Sequence, residues 1–338
     1  MARTHYVGLD VGDAATAICA LDGDGAVVLE TTVASTPAAI AGALKPLGRR
    51  LKRVGHEAGP LSPWLHPALL RARLPVVCLD ARKTRAALEA QRNKTDRTDA
   101  RGIAQILALG FEGYAYVKSR EAHKLRALLT YRSTLKRKAR DLESLLRFSV
   151  KTFGGRMERT GERVSVRRSK KDADAFLDAV TASIARARAG LLSEAKALEK
   201  IIVALTRTDP VCRRLMTVPG VGPITALAFK AAVDDPDRFP QSRLVASYFG
   251  LTPKRFQSGL MQRGGHISKF GDGDVRALLF EAAIVMLTHA KTQSALKTWG
   301  KKLAARKGVK VAAVACARKI AVILHRLWVT KNDFDPAH

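Results

Sequence analysis

Acidic residues are scarce in this chain. Thirty Asp and Glu stand against 59 Lys and Arg, a formal net charge of +29 over 338 residues. A folded body with that much charge of one sign repels itself unless a polyanion neutralises it, so nucleic acid held through phosphate contacts is the expected partner. A basic surface that engages nothing is the alternative. Cysteine is scarce too: Cys19, Cys78, Cys212 and Cys316 are far apart and form no CxxC spacing. That excludes a disulfide framework and a zinc site, and reads as buried thiols in a reducing compartment. No apolar run is long enough to span a bilayer, and the N-terminus carries no signal-peptide pattern. The expectation is a cytoplasmic protein with no membrane partner. No nucleotide-binding loop is visible either. The hydrophobic fraction of 47% is ordinary for a globular protein and excludes a disordered basic tail.

The charge is unevenly spread. Residues 1–110 carry a net +5, residues 111–206 +11 and residues 207–338 +13. The two later regions are the expected grips on nucleic acid, and the first is where acids are spared for chemistry. That first region alternates strands and helices. His5–Val11, Ala14–Leu21 and Ala26–Val33 read as strands, the last two joined by the turn signal Asp22-Gly23-Asp24-Gly25. A helix from Thr36-Pro37 to about Gly48 follows, then a strand over Arg53–Glu57, a helix from Ser62 to about Arg73, a strand over Pro75–Leu79 and helices over roughly 81–109. This order predicts a hairpin meander feeding crossovers into a mixed sheet.

The middle region reads as helical. Leu125, Leu128, Leu135, Ala139, Leu142 and Leu146 keep a 3–4 step that only Arg132 breaks. Leu177, Val180, Ile184, Ala187, Leu191, Leu198, Ile201 and Leu205 do the same around Glu194. The pattern fits two long helices of a coiled coil, or two ordinary bundle helices. The polar, basic stretch Gly154–Lys171 between them reads as a mobile or nucleic-acid-ordered loop. The last region opens on Val218-Pro219-Gly220-Val221-Gly222-Pro223, the sequence form of a helix-hairpin-helix whose glycines let backbone amides approach phosphate; a plain helix connector is the other reading. Tyr248-Phe249-Gly250-Leu251-Thr252-Pro253, a basic glycine-rich loop and helices to about Trp328 complete the chain.

Two constellations could do chemistry. Asp10 closes the first strand, Glu57 closes a later one, and Asp96 and Asp99 lie three apart on a helix after the last strand. Adjacent strand ends are about 5 Å apart, so four such acids can converge at one sheet end. Their mutual repulsion would be relieved by divalent cations, which can clamp the attacking and leaving oxygens of a phosphodiester. Singly, Asp10 could cap a turn, Glu57 could be a surface acid and Asp96 a helix cap. The second constellation is Ser258, set in Lys254-Arg255-Phe256-Gln257-Ser258-Gly259 ahead of Arg263-Gly264-Gly265-His266-Ile267-Ser268-Lys269. A serine among cations can attack phosphorus or simply bond phosphate.

Taken in order, several segments match one family. They are Tyr6-Val7-Gly8-Leu9-Asp10-Val11-Gly12, the Glu57 strand, Asn93-Lys94-Thr95-Asp96-Arg97-Thr98-Asp99-Ala100, Val218 to Pro223, Tyr248 to Pro253, and the run from Ser258-Gly259 through Lys269 to Arg276. On these the chain resembles the IS110-family transposases and the related Piv-type DNA invertases over nearly its full length. The resemblance implies an α/β plus all-α architecture: a RuvC-like, ribonuclease-H-type domain over 1–112, a coiled-coil region over 113–206 and a helical C-terminal transposase domain over 207–338. It implies a DEDD site of Asp10, Glu57, Asp96 and Asp99 holding Mg²⁺ or Mn²⁺, and a serine nucleophile at Ser258. It implies double-stranded donor and target DNA, a structured bridge RNA as guide, a homo-oligomer, and a bacterial, nucleoid-associated setting. The chain departs from the family in having Gly12-Asp13 where a lysine often follows the first Asp, and Gln257 before a single Ser258 where serines are often paired. Two other functions compete. One is a structure-selective nuclease of the Holliday-junction resolvase type; the other is a catalytically inactive nucleic-acid-binding protein.

Overall fold

The computed structural model describes residues 4–88, 96–160, 163–167, 174–258 and 261–337, with backbone alone at 96–98, 159–160, 163–167, 255–258 and 261–264. The chain divides into two compact units, one ending at Arg120 and the other starting at Glu121.

The first unit is built on a five-stranded sheet. Strands β1 (His5–Val11), β2 (Ala15–Leu21) and β3 (Val27–Ala34) form an antiparallel meander, and β4 (Leu51–Glu57) and β5 (Val76–Leu79) add in parallel beyond β1, giving the order β3-β2-β1-β4-β5. The β2–β3 turn forms because the Asp22 carboxylate accepts from the amides of Asp24 (3.0 Å) and Ala26 (2.9 Å), while Gly25 takes the positive φ of 84°. Helix α1 (Pro37–Leu44) crosses from β3 to β4, capped by the Thr36 hydroxyl, and α2 (Ser62–Arg71) crosses from β4 to β5. The expected helix to Gly48 ends early: residues 45–50 tighten into a 3₁₀ turn in which Gly48 has φ 53°. Two further helices follow, α3 (Ala81–Leu88) and α4 (Asp96–Ala108).

Strand periodicity sorts the two faces of this sheet. Val7, Leu9, Val54, Ile40, Leu44, Leu65 and Leu69 pack with α1 and α2 on one side. On the other side α4 lies directly on Gly8 and Gly55. A Cβ on Gly8 would stand 2.0 Å from the Ala100 carbonyl oxygen, and one on Gly55 would stand 2.5 Å from Leu107 Cδ1. Only glycine lets the helix approach this closely.

The second unit is mostly helical. It contains nearly all of α5 (Arg120–Thr152), then α6 (Ala175–Thr208), α7 (Pro210–Leu215), α8 (Pro223–Val233), α9 (Arg243–Tyr248), α10 (Gly273–Thr288), α11 (Ala295–Lys307) and α12 (Val309–Thr330). Its core draws on α6 to α12, with Phe229, Phe249, Met286 and Ile320 fully buried. Helices α5 and α6 meet in antiparallel sense: Arg132 and Lys136 bind Glu199, and further along Glu143 binds Arg188. Arg132, the one break in the apolar step of α5, is thereby explained as an interhelical ion-pair residue.

Two stretches read from sequence as loops are instead hairpins. Residues 154–171 contain β6 (Arg156–Thr160) paired with β7 (Arg163–Arg167), and the glycine-rich segment after Pro253 contains β8 (Pro253–Ser258) paired with β9 (Met261–Ile267). In the first of them Arg163-Val164-Ser165-Val166-Arg167 has a two-residue period that the surrounding arginines mask, and in the second β8 and β9 show no clean alternation. The four cysteines are buried and free, and burial lifts the thiols of Cys78 and Cys316 to about 11 and that of Cys212 to about 12. No helix among the described residues is long and apolar enough to cross a membrane.

Candidate active site

Asp10 and Glu57 come together for a reason visible in the register. In the parallel pair Leu9 lies opposite His56, so Asp10 and Glu57 close neighbouring strands side by side. By alternation both fall on the face of Gly8 and Gly55, the face covered by α4. A cleft of about 150 Å³ opens at this sheet end, lined by Asp10, Asp13, Glu57, Gly59, Leu61 and Ser62 among others. Asp13, exposed and outside the expected ligand set, therefore borders the same cleft. Asp99 sits in the first turn of α4, one residue before Ala100, whose carbonyl lies over Gly8; Asp96 starts that helix. The Asp96 side chain and the preceding Lys94-Thr95 lie outside the described residues. Among the described residues no three His, Cys, Asp or Glu side chains gather closely enough to hold a metal ion.

Behind Glu57 lies a polar network that sequence reasoning missed. The buried His56 contacts the Glu57 carbonyl oxygen through Nδ1 (3.0 Å) and His66 Nδ1 through Nε2 (3.0 Å). The Ser62 hydroxyl donates to the same carbonyl (3.2 Å) and accepts from the Gly59 amide (2.9 Å). Burial drives the His56 pKa down to about 4, against the Glu57 carbonyl that favours the charged ring. A neutral imidazole donating from Nδ1 must accept at Nε2, which assigns the shared proton to His66. The network holds the backbone that leaves Glu57, and so the direction of its carboxylate. A histidine next to the candidate acid was the only signal available; its partners stand up to ten positions away on α2.

Ser258 belongs to the second unit. It ends β8 opposite Met261, and its side chain lies outside the described residues. The base of this hairpin is clamped. Gly250 (φ 67°) and Gly271 (φ 76°) allow the two chain segments to touch, since added Cβ atoms would stand 2.2 Å from Phe270 O and 2.0 Å from Tyr248 O. Arg276 ties both by donating to the carbonyls of Phe249 (3.0 Å) and Phe270 (3.1 Å). From this anchored base the strand pair reaches about 17 Å to the serine. The Tyr248–Pro253 motif and Arg276 thus act together as the hairpin's root. In the Val218–Pro223 turn, Gly220 (φ 89°) is packed against α10, 2.2 Å from Ala282 O at its missing Cβ, whereas Gly222 at the start of α8 has open space.

Residues 7–153 match a transposase family model whose name joins the DEDD signature to IS110, and residues 212–299 match a model described as the transposase IS116/IS110/IS902 family. A probable family 20 transposase of Pseudomonas aeruginosa is 31% identical over 260 residues, covering 72% of this chain and 75% of that protein. The transposase for insertion sequence element IS1111A of Coxiella burnetii is 28% identical over 261 residues, covering 72% and 68%. A pilin gene-inverting protein of Moraxella bovis is 27% identical over 124 residues, covering 36% and 38%. The mixed sheet followed by a helical part fits a DEDD transposase.

Proposed function

Because this chain belongs to the IS110 family of transposases, and is a DNA transposase or recombinase enzyme, we propose that Asp10, Glu57, Asp96 and Asp99 form its divalent-cation site and that Ser258 is its nucleophile. The observation that supports this most is the placement of Asp10 and Glu57 side by side, on the face covered by the helix that bears Asp96 and Asp99. Carboxylate oxygens are hard donors, and the cleft has room for an ion that keeps some of its water, so the residues fit Mg²⁺ or Mn²⁺. When bound, the cation would neutralise charge on the scissile phosphate.

The Ser258 oxygen attacks phosphorus and forms a phosphoserine ester. The strand oxygen departs as a hydroxyl and takes the serine proton in net balance. Attack of a second strand's hydroxyl on that ester rejoins DNA and restores the serine, so bond energy is conserved without a nucleotide cofactor. The cationic sequence around Ser258 would stabilise the developing charge. The same reading takes the basic second unit as the grip on donor and target DNA and on a bridge RNA that supplies sequence by base pairing. It takes α5 and α6 as an antiparallel coiled coil within the chain, supported by their ion pairs, and the Gly220–Gly222 turn as a helix-hairpin-helix-like contact, supported by the open Gly222.

The test is a recombination substrate incubated with Mg²⁺, with protein–DNA adducts resolved under denaturing conditions. Wild type is expected to leave protein covalently on DNA. Ser258→Ala should give no adduct and no recombinant while binding nucleic acid normally, and Asp10→Asn should slow both by about a thousandfold or more. Strand transfer by Ser258→Ala would remove the serine from the mechanism. Cleavage without any adduct would instead favour the resolvase type of nuclease.

A further inference from the structure

Helix α12 has two apolar faces, and the core covers one of them. Ala313, Ala317, Ile320 and Leu324 are buried. Val311, Val314, Ala315 and Val322 recur on another side and, with Trp299 of α11 and the Gly265–Ile267 end of β9, line an open groove of about 1350 Å³. Val311 is 51% exposed and Trp299 39%. Among the described residues the charges at this groove are all of one sign: Lys269, Lys310, Arg318 and Lys319 line it, and no carboxylate does. Lys319 Nζ stands 4.6 Å from the centre of the Trp299 ring, which places a cation beside an aromatic face.

Charge complementarity decides the occupant. Another copy of this chain brings a further +29 to a cationic rim. A nucleic acid brings phosphates for the rim and flat apolar bases for the floor. Paired bases hide those faces, so the groove suits unpaired nucleotides, and its volume exceeds that of a single small-molecule site. The groove wall supplied by β9 belongs to the hairpin that carries Ser258 at its far end, so a strand seated there lies along the same hairpin as the proposed nucleophile.

Resting on the serine reading above, we propose that this groove holds unpaired nucleotides of the DNA strand flanking the scissile phosphate, with a base on Trp299 and phosphates on Lys310, Arg318 and Lys319. Local unpairing of DNA next to the cut is then recognised by protein as well as by any guide.

The test measures equilibrium binding of the full chain, in EDTA so that nothing is cut. The probes are a duplex with a six-nucleotide unpaired bubble, the same duplex fully paired, and the bubble sequence as RNA. Trp299→Ala is expected to weaken bubble binding by roughly tenfold and to leave duplex binding within about twofold. Val311→Glu, on an exposed position that the core does not use, should do the same and carries the test if Trp299→Ala folds poorly. Equal loss on bubble and duplex, or no loss on either, overturns the proposal. So does a larger loss for RNA than for DNA, which would give the groove to RNA. A change in oligomeric state on sedimentation would give it to a second copy and overturn it too. No adduct forms in EDTA, so the groove result is independent of whether Ser258 is the nucleophile.

Discussion

In the first unit a buried imidazole is kept neutral, whereas in the second buried charges are kept charged by pairing. His56 sits under Glu57 with its pKa driven down to about 4 by burial, hydrogen-bonded to a carbonyl and to His66. In the second unit Glu143 takes the buried Arg188 at 2.7 Å and Arg147 at 3.3 Å, and Asp209 pairs with Lys230. Desolvation opposes the charge of Glu199, but the hydrogen bond and charge of Arg132, helped by Lys136, outweigh it and hold that carboxyl below its ordinary range. The contrast shows how a chain short of acids divides them. The helical unit uses carboxylates to lock its own helices, and its excess of Lys and Arg is left to face a polyanion. The sheet unit places Asp10, Asp13 and Glu57 at an open cleft and orders the backbone beside it with the neutral His56 and Ser62.

Breaking the sheet unit at its tightest point should have the largest effect. Gly8→Ala puts a methyl 2.0 Å from the Ala100 carbonyl oxygen, so α4 must lift from β1. We expect a loss of about 4 kcal/mol, above the usual range of about 1–3 for overpacking because the clash is with backbone, in the unfolding free energy of the full chain measured by denaturant titration. Hydrogen exchange should rise in β1 and α4 and stay unchanged in α10 and α12. Arg188→Ala comes next. It strips Glu143 of its buried partner Arg188, whereas Arg147 on the same helix is exposed, at an expected cost of about 3 kcal/mol. Glu199→Gln should cost under about 1 kcal/mol, because its side chain is one-third exposed. Reversal of that order would mean that burial is not what gives the α5–α6 pairs their strength.

The mildest effect separates the units by pH. The folded pKa of His56 lies below the ordinary 6.5, so the unfolded chain binds more protons between the two values. Its contribution is complete above pH 6.5 and is lost as pH falls towards about 4, at no more than about 1.4 kcal/mol per pH unit. Glu199, with its pKa lowered, loses its contribution only below the ordinary carboxylate range of about 4.5. Exchange measured across β1 and β4 should therefore loosen at a higher pH than exchange across α5 and α6. His56→Gln should flatten the first profile and leave the second as it was. Simultaneous loosening would show that the neutral imidazole is not what distinguishes the sheet unit.

Much of the sheet unit was legible because its signals are local. Alternation and turn residues placed all five strands within a few positions, and Asp10 and Glu57 announced themselves as strand-closing acids. The hairpins at 156–167 and 253–267 were not legible, since arginine and glycine dominate their composition, the two-residue period of the first is short and the second shows no clean alternation. The His56–Ser62–His66 network was hidden for a different reason: it joins a strand to the helix after it, and no residue in it is unusual alone. Asp13 likewise stood out in sequence only as a departure from a pattern, yet it borders the cleft.

By itself the sequence determined that this protein is a partner of a polyanion and that its cationic excess lies mainly after residue 110, because net charge needs no folding to be counted. It also determined the strand and helix order of the first unit, because periodicity is set by the backbone geometry of each segment. Only the tertiary structure decided that Gly8 and Gly55 seat a helix over the acid-bearing face, that Gly250, Gly271 and Arg276 root the serine hairpin, and that α12 leaves a cationic apolar groove open. These depend on which residues distant in sequence come within a few ångströms, and close packing selects those pairs only when the whole chain is in place.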